Sequence, residues 1–194
     1  MKKIFLIFLF FNLSYGHVKS IEPDVFVQST VNRASQALSK NISKEAKIKE
    51  LKIIAKETVD IKGVGFYSLG SLRKNLNNNQ EKKYFELFEN YFLKSFSSRL
   101  AEYTNPKIEV KSKKIINKNY TIVNSFLVST SERPEVKIDW RVYTKNPDNP
   151  LIRDLIIEGL SLARTQKEEF ASILNSNDGN INILFNTLEE FTKN

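Results

Sequence analysis

VKIDWRVYTKNPDNPLIRDLIIEGLSLARTQKEEFASIL, residues 136–174, decides the fold, because it contains two strand patterns followed by a helix pattern. In the first strand, apolar and polar residues alternate, which is typical of a strand with one buried face. A turn at 146–150 leads into a longer apolar strand, predicted over 151–162. Thr165 and Glu168 have the spacing of a capping box and predict the start of a helix that carries Phe170.

Upstream of this segment, the patterns indicate helices first and strands second. Helices are predicted to start near Pro23, Ser43, Asp60 and Asn78, and a last helix lies near the C-terminus. Two further strands, near 108–110 and over 120–130, flank a hairpin turn at 117–119. This segregation predicts an α+β fold. We expect an NTF2-like domain with a mostly antiparallel four-stranded twisted sheet wrapped by helices, with helices first, then strands, then two C-terminal helices.

The longest predicted helix carries an aromatic stripe at helical spacing. The stripe consists of Phe85, Phe88, Phe92, Phe96, Leu100 and Tyr103. Such a stripe usually packs in a core, although its richness in Phe also suits a wall that contacts acyl chains. The helix before it contains Gly63 and Gly65. These glycines predict either close packing against another helix or the close approach of a ligand.

The N-terminus has the pattern of a cleaved signal peptide. Lys2 and Lys3 precede the apolar run 4–11, and Ser14 and Gly16 stand at the −3 and −1 positions of a cleavage site. The apolar run is too short to span a bilayer. We therefore expect residues 1–16 to be removed and residues 17–194 to form a single exported domain.

Composition restricts the chemistry that this chain can perform. It has no Cys, and its one His, His17, would become the mature N-terminus. A Cys–His pair, a Ser–His–Asp triad and a thiolate or histidine-rich metal site are therefore not expected. The net charge of +8 falls to +6 when Lys2 and Lys3 are removed. Nucleic acid is not an expected partner, because the chain is exported. No Gly-rich phosphate loop appears, and we expect no cofactor.

Two strand carboxylates leave an enzymatic alternative open. Asp139 or Asp154, turned into a cavity, could act as the base of a small-molecule isomerase or lyase. Asp139 falls on the polar face of its strand, which favours a solvent-facing role. An exported structural module without a ligand is a third possibility.

Several short motifs resemble the MlaC (toluene-tolerance) family of periplasmic phospholipid carriers. The strongest is RDLIIEGLSL at 153–162, followed by Lys167 and Phe170. Leu69-Gly70 and Gln80-Glu81 match a Leu-Gly pair and the opening of a Phe-rich helix in that family. Two tryptophans of the family pattern are absent here, around residues 71–74 and 150–151. A divergent relative could carry a hopanoid-type lipid instead.

The resemblance implies a monomeric shuttle that carries phospholipid between an inner-membrane ABC transporter complex and an outer-membrane lipoprotein complex, and so maintains outer-membrane lipid asymmetry. The largest apolar surfaces are the aromatic stripe and the inward faces of the later strands. We expect a pocket between them, near the upper end of the roughly 300–1,000 Å³ usual for ligand sites. The predicted lining residues are Phe66, Leu69, Phe88, Phe92, Phe126, Ile138, Trp140 and Ile156.

Overall fold

The computed structural model describes residues 20–131 and 133–193, and the predicted signal peptide lies outside them. The helices before the sheet are α1 (Pro23–Ser39), α2 (Lys44–Thr58), α3 (Ile61–Ser68) and α4 (Asn78–Leu100). The strands are β1 (Ile108–Asn117), β2 (Tyr120–Leu127), β3 (Val136–Tyr143), β4 (Leu151–Ile157) and β5 (Leu160–Ser161). The C-terminal helices are α5 (Leu162–Asn175) and α6 (Ile181–Lys193). This order confirms the predicted α+β fold. No helix in the described ranges is long and apolar enough to cross a membrane.

The strands form one antiparallel sheet in sequence order, from β1 to β5. The sheet has five strands rather than the predicted four, because the run 151–162 is not continuous. β4 ends at Ile157, and Glu158 and Gly159 both have positive φ, at 49° and 84°. This backbone makes a tight hairpin turn, after which Leu160 pairs with Ile157.

The tight turn also fixes the start of α5. The Ser161 hydroxyl accepts a hydrogen bond from the Arg164 backbone N–H at 3.1 Å and caps the helix. The predicted capping box at Thr165 and Glu168 is therefore wrong. Thr165 already lies in the first turn, where its hydroxyl donates to the carbonyl of Ser161 at 3.1 Å.

A true capping box starts α4, one residue before the predicted position. The Asn77 side chain accepts from the Gln80 backbone N–H at 2.9 Å, and the Gln80 side chain accepts from the Asn77 N–H at 3.0 Å. Two backbone donors at the helix start are thereby satisfied. The capping box thus fixes where α4 begins, and the aromatic stripe lies along one side of this helix.

Two clusters of buried side chains hold the helices and the sheet together. The first joins α1 to the face of the sheet that carries Val123, Trp140 and Val142, here called the inner face. The second joins α3, α4, α5 and α6 around Tyr84, Phe88, Phe170, Leu184 and Phe185. Val59, at the end of α2, packs against both clusters. The opposite face of the sheet, here called the outer face, carries Ile122 and Arg141.

The glycines of α3 allow close packing between helices. A Cβ atom on Gly65 would lie 2.9 Å from Cδ1 of Phe88. The carbonyl of Gly65 also accepts a 3.0 Å hydrogen bond from the hydroxyl of Tyr84, which is fully buried. Burial raises the pKa of Tyr84, so this donor stays protonated. Of the two alternatives, close packing of α3 against α4 explains Gly65.

We expect Gly159→Val to lower the free energy of unfolding by about 1–2 kcal/mol, since a β-branched residue is strained at positive φ. Among the described residues no atom lies within 4 Å of the added Cβ, so the cost is conformational rather than steric. Gly159→Asn is the matched control and should cost less, because Asn tolerates this backbone. Thermal melts compare the two, and an unperturbed Val variant would contradict the role assigned to the turn.

Gly65→Ala should also destabilise the fold, by about 1–3 kcal/mol from overpacking. Helix propensity alone predicts the opposite sign, a gain of about 0.5–1 kcal/mol. The clash with buried Phe88 decides between them, and the Phe88→Leu background should relieve part of the cost. A higher melting temperature for Gly65→Ala would show that α3 and α4 are not in tight contact.

Candidate functional site

An apolar cavity of about 190 Å³ lies between α4, the start of α5 and the inner face of β3 and β4. Its apolar lining consists of Val59, Val64, Phe88, Phe92, Phe96, Trp140, Ile152, Leu155, Leu162 and Ala163. Its lining residues come from both buried clusters, so the cavity lies where the two clusters meet. Its volume is below the 300–1,000 Å³ usual for ligand sites and below the size expected from the sequence.

The α4 wall is a row of stacked phenyl rings. Phe88, Phe92 and Phe96 are four residues apart and therefore lie on one side of the helix. The centroids of Phe88 and Phe92 are 6.2 Å apart with an interplanar angle of 27°, and those of Phe92 and Phe96 are 5.6 Å apart with an angle of 9°. Phe88 is buried, whereas the other two rings are half-buried and face the cavity.

Trp140 forms the sheet wall opposite this row. Its indole N–H donates to the hydroxyl of Ser125 at 2.8 Å, and that hydroxyl donates to the carbonyl of Ile138 at 3.0 Å. Both buried donors are therefore satisfied within the sheet. What Trp140 adds to the cavity lining is the apolar surface of its rings.

Eight polar residues also line the cavity. They are Tyr91, Ser95, Arg99, Arg153, Asp154, Thr165, Gln166 and Glu169, of which Arg99 and Glu169 are exposed and mark the mouth. The Tyr91 hydroxyl donates to the side-chain oxygen of Gln166 at 2.9 Å. Burial raises the pKa of Tyr91, so its hydroxyl is uncharged at neutral pH. The cavity thus has a mostly apolar lining and a polar mouth.

Asp154, one of the two candidate bases, is buried in the wall of this cavity. One carboxylate oxygen accepts from the hydroxyl of Ser161 at 2.7 Å, and the other accepts from the backbone N–H of Ala163 at 3.0 Å. These contacts fasten the start of α5 to β4. Since both oxygens are engaged, the arrangement fits a structural role better than proton abstraction.

Asp139, the other candidate base, lies on the outer face, as its strand pattern predicts. It accepts from the side-chain amide of Asn124 at 2.8 Å and pairs with Lys137 at 3.3 Å. It does not line the apolar cavity. In the ranges that the structure describes, no three His, Cys, Asp or Glu side chains are grouped so that they could hold a metal ion.

A second, wider depression of about 610 Å³ lies on the outer face of the sheet. It is bounded by α3, the 3-10 helix Gly70–Lys74, strands β1 to β4 and the start of α5, and it contains Arg73, Arg141 and Arg153. Arg153 is held by Asp60, with Nε–Oδ2 at 2.7 Å, and its guanidinium lies 3.6 Å from the ring centroid of Tyr143. Arg153, Asp154 and Ala163 form the wall shared by the depression and the apolar cavity.

The structure brings three of the eight predicted lining residues together, namely Phe88, Phe92 and Trp140. The other five lie elsewhere. Phe66 borders the outer depression. Leu69 and Ile138 are packed in the two buried clusters.

Phe126 and Ile156 lie on the outer face of the sheet, because they pair with Lys137 and Asp139 rather than with inward residues. Their placement in the cavity was wrong, since an apolar residue at alternate spacing does not reveal which face the helices cover. Sequence reasoning missed Ile152 and Leu155. Their inward positions depend on an irregularity in the pairing of β3 with β4 at Arg141–Val142.

Comparisons with known proteins agree with this fold. The family described as MlaC protein matches residues 27–190. A solved structure of a phospholipid-binding protein from Ralstonia solanacearum, in complex with a phospholipid, superposes with a TM-score of 0.74. The two chains share 18% sequence identity over 89% of this chain and 98% of the other. A search of curated proteins finds no match.

Ser161→Ala should cost about 1 kcal/mol for the lost helix cap, and more because the carboxylate of Asp154 loses a partner. Ser43→Ala is the matched control, since Ser43 caps α2 at 3.2 Å and is exposed. Chemical denaturation should therefore show a larger loss for Ser161→Ala than for Ser43→Ala. Equal losses would mean that the contact with Asp154 adds nothing to stability.

Proposed function

This chain belongs to the MlaC family, and from this premise we propose that it binds a phospholipid in the apolar cavity and carries it through the periplasm. The route runs between an outer-membrane lipoprotein complex and an inner-membrane ABC transporter complex, and the result is maintenance of outer-membrane lipid asymmetry. The protein acts as a monomer and performs no chemical step on its cargo.

The observation that carries this proposal is a cavity with a mostly apolar lining and a polar mouth. A phospholipid with two chains has on the order of 30 methylenes, each worth about 0.8 kcal/mol when it is removed from water. A carrier must therefore enclose the chains and leave the headgroup near solvent. The row of Phe rings and the ring of Trp140 suit the chains, and Arg99 at the mouth suits an anionic headgroup.

Loading requires the cavity to widen, because about 190 Å³ is too small for two acyl chains. The α4 wall is suited to such a change. Phe92 and Phe96 are half-buried and stacked nearly parallel, so their rings can slide or rotate without breaking a hydrogen bond. The Ralstonia solanacearum structure, which holds a phospholipid, supports a fold of this type as a lipid container.

Export is the second part of the proposal. The pattern at residues 1–16 supports a cleaved signal peptide, and residues 17–194 then form the mature domain. A lipid carrier has no need of a titrating group in its cavity. The engagement of both oxygens of Asp154 by α5 supports this function over the isomerase or lyase alternative.

Protein purified from cells should carry phospholipid, which native mass spectrometry detects directly. Phe92→Glu should reduce the lipid-bound fraction at least tenfold, because an ionised carboxylate in the apolar wall costs several kcal/mol when a chain covers it. Phe92→Leu keeps the wall apolar and should retain lipid.

Asn90→Glu is the matched charge control, since Asn90 lies on the exposed side of the same helix. Equal lipid retention by Phe92→Glu and Asn90→Glu would move the binding site away from this cavity. Recovery of a hopanoid, or of no lipid at all, would contradict the phospholipid assignment.

A further inference from the structure

The hairpin between β1 and β2 projects beyond the helices that cover the sheet. All residues from Lys111 to Lys118 are exposed. α1 covers the first half of β1 and stops near Lys113, whose ammonium pairs with Asp24 at 2.7 Å and also with Glu22. Past this point α1 no longer covers the hairpin, and Ile116, Asn117 and Tyr120 border the outer depression, across which lie α3 and the 3-10 helix. The part from Lys114 to Tyr120 is here called the hairpin tip.

Two adjacent isoleucines stand at the hairpin tip in contact with water. Ile115 is 73% exposed, the highest value among the large hydrophobic residues that the structure describes, and Ile116 is 52% exposed. The pairing of β1 with β2 shifts between Ile115 and Asn117, so Ile116 is the extra residue of an irregularity next to the turn. Neither side chain is needed by a buried cluster.

Lysines on an edge strand have a common structural role, because they discourage pairing with another sheet. Lys111 and Lys113 fit this role, and both are held by acidic neighbours. Exposed isoleucines do the opposite, since they favour association. Protection of the sheet edge therefore does not explain the exposed isoleucines of the hairpin tip.

The charge around the isoleucines is cationic. No Asp or Glu occurs between residues 110 and 131. Within the described part of the chain, neither Lys114 nor Lys118 takes part in an ion pair. Lys114, Ile122 and Arg141 occupy paired positions across the outer face, so the positive surface continues from the hairpin tip into the outer depression.

We propose that the hairpin tip is a membrane-contact element, in which Ile115 and Ile116 enter the interface of an anionic bilayer while Lys114 and Lys118 bind lipid phosphates. Isoleucine beside lysine is a combination that suits this boundary, because the apolar side chains enter the lipid and the ammonium groups remain at the headgroups. Each lysine near an anionic surface strengthens binding by about fivefold. The contact is consequently weak, reversible and sensitive to salt.

A bilayer fits this surface better than a protein partner. A stable protein interface covers about 800 Å² on each partner, around a packed apolar centre. Two isoleucine side chains on a narrow hairpin supply much less than this. A bilayer requires neither a complementary pocket nor a large area. The hairpin tip and the apolar cavity have no residue in common, so membrane contact does not depend on whether the cavity carries lipid.

Because the chain has no Cys, a single introduced thiol can report on insertion. Ile115→Cys, labelled with a polarity-sensitive fluorophore, should show a blue shift and a brighter emission with vesicles of one part phosphatidylglycerol to three parts phosphatidylethanolamine. The shift should be absent with phosphatidylcholine vesicles and should disappear at high salt. Ile53→Cys is the matched control, since Ile53 is 49% exposed on α2 beside Lys49 and Lys52, neither of which forms an ion pair with another described residue.

Vesicle sedimentation of unlabelled full-length mature protein provides the second measurement. The double variant Lys114→Gln/Lys118→Gln and the double variant Ile115→Ser/Ile116→Ser should each bind anionic vesicles at least tenfold more weakly. Lys49→Gln/Lys52→Gln should bind as the unmodified protein does. All of these variants should melt normally and keep any lipid that co-purifies, which separates this test from that of the proposed function.

Three results would overturn the proposal. The first is equal spectral shifts at positions 115 and 53, which would indicate general attraction of a basic protein to the vesicles. The second is sedimentation with anionic vesicles without any spectral change at position 115. The third is no binding to vesicles at low salt, which would leave the hairpin tip as a surface for a protein partner.

Discussion

The pairing of Asp60 with Arg153 joins the helical layer to the sheet, and Arg153 lines both the apolar cavity and the outer depression. Asp60 caps α3 by accepting from the backbone N–H of Gly63 at 2.8 Å, and its own N–H donates to the carbonyl of Ile152 at 2.9 Å. Its carboxylate holds Arg153, which donates to the hydroxyl of Tyr120 at 2.6 Å. One residue therefore fixes the start of α3, the edge of β4 and a cation of the outer face. A partly buried pair with this many hydrogen bonds acts mainly as a positioning device.

The wall formed by Arg153, Asp154 and Ala163 separates two spaces of different chemistry. Towards the helices it bounds a cavity lined by stacked phenyl rings and one indole ring, and towards the outer face it bounds a depression with three arginines. Asp154 stands in the same wall and fastens α5 through Ser161 and Ala163. An amphiphile meets an apolar interior on one side, whereas an anion meets cations on the other. The division follows from the pleat of the strands, which sends alternate side chains to opposite faces.

Much of this fold could be predicted from the sequence, because the strongest patterns are local. The aromatic stripe of α4 and the alternation of β3 correctly placed Phe88, Phe92 and Trp140 on surfaces that meet. Phe126 and Ile156 were misplaced, since alternation marks two faces and only the tertiary packing of α1 and α4 selects the inner one. The segment 151–162 was predicted as one strand. Gly159 permits a bend there, but the pattern does not show that Glu158 and Gly159 form a hairpin turn that divides the strand. A non-glycine residue at positive φ leaves little trace in such a run.

Trp140 is the only tryptophan of the chain and stands on the wall of the apolar cavity. Its indole N–H is already bonded to Ser125, so the hydrogen bonding of the ring need not change when the cavity fills. The environment of the indole ring does change when an apolar ligand fills the cavity, because the ring then contacts the ligand. The chain therefore contains an intrinsic optical probe of cavity occupancy, and the colour and quenching of its native emission follow filling and emptying without any label.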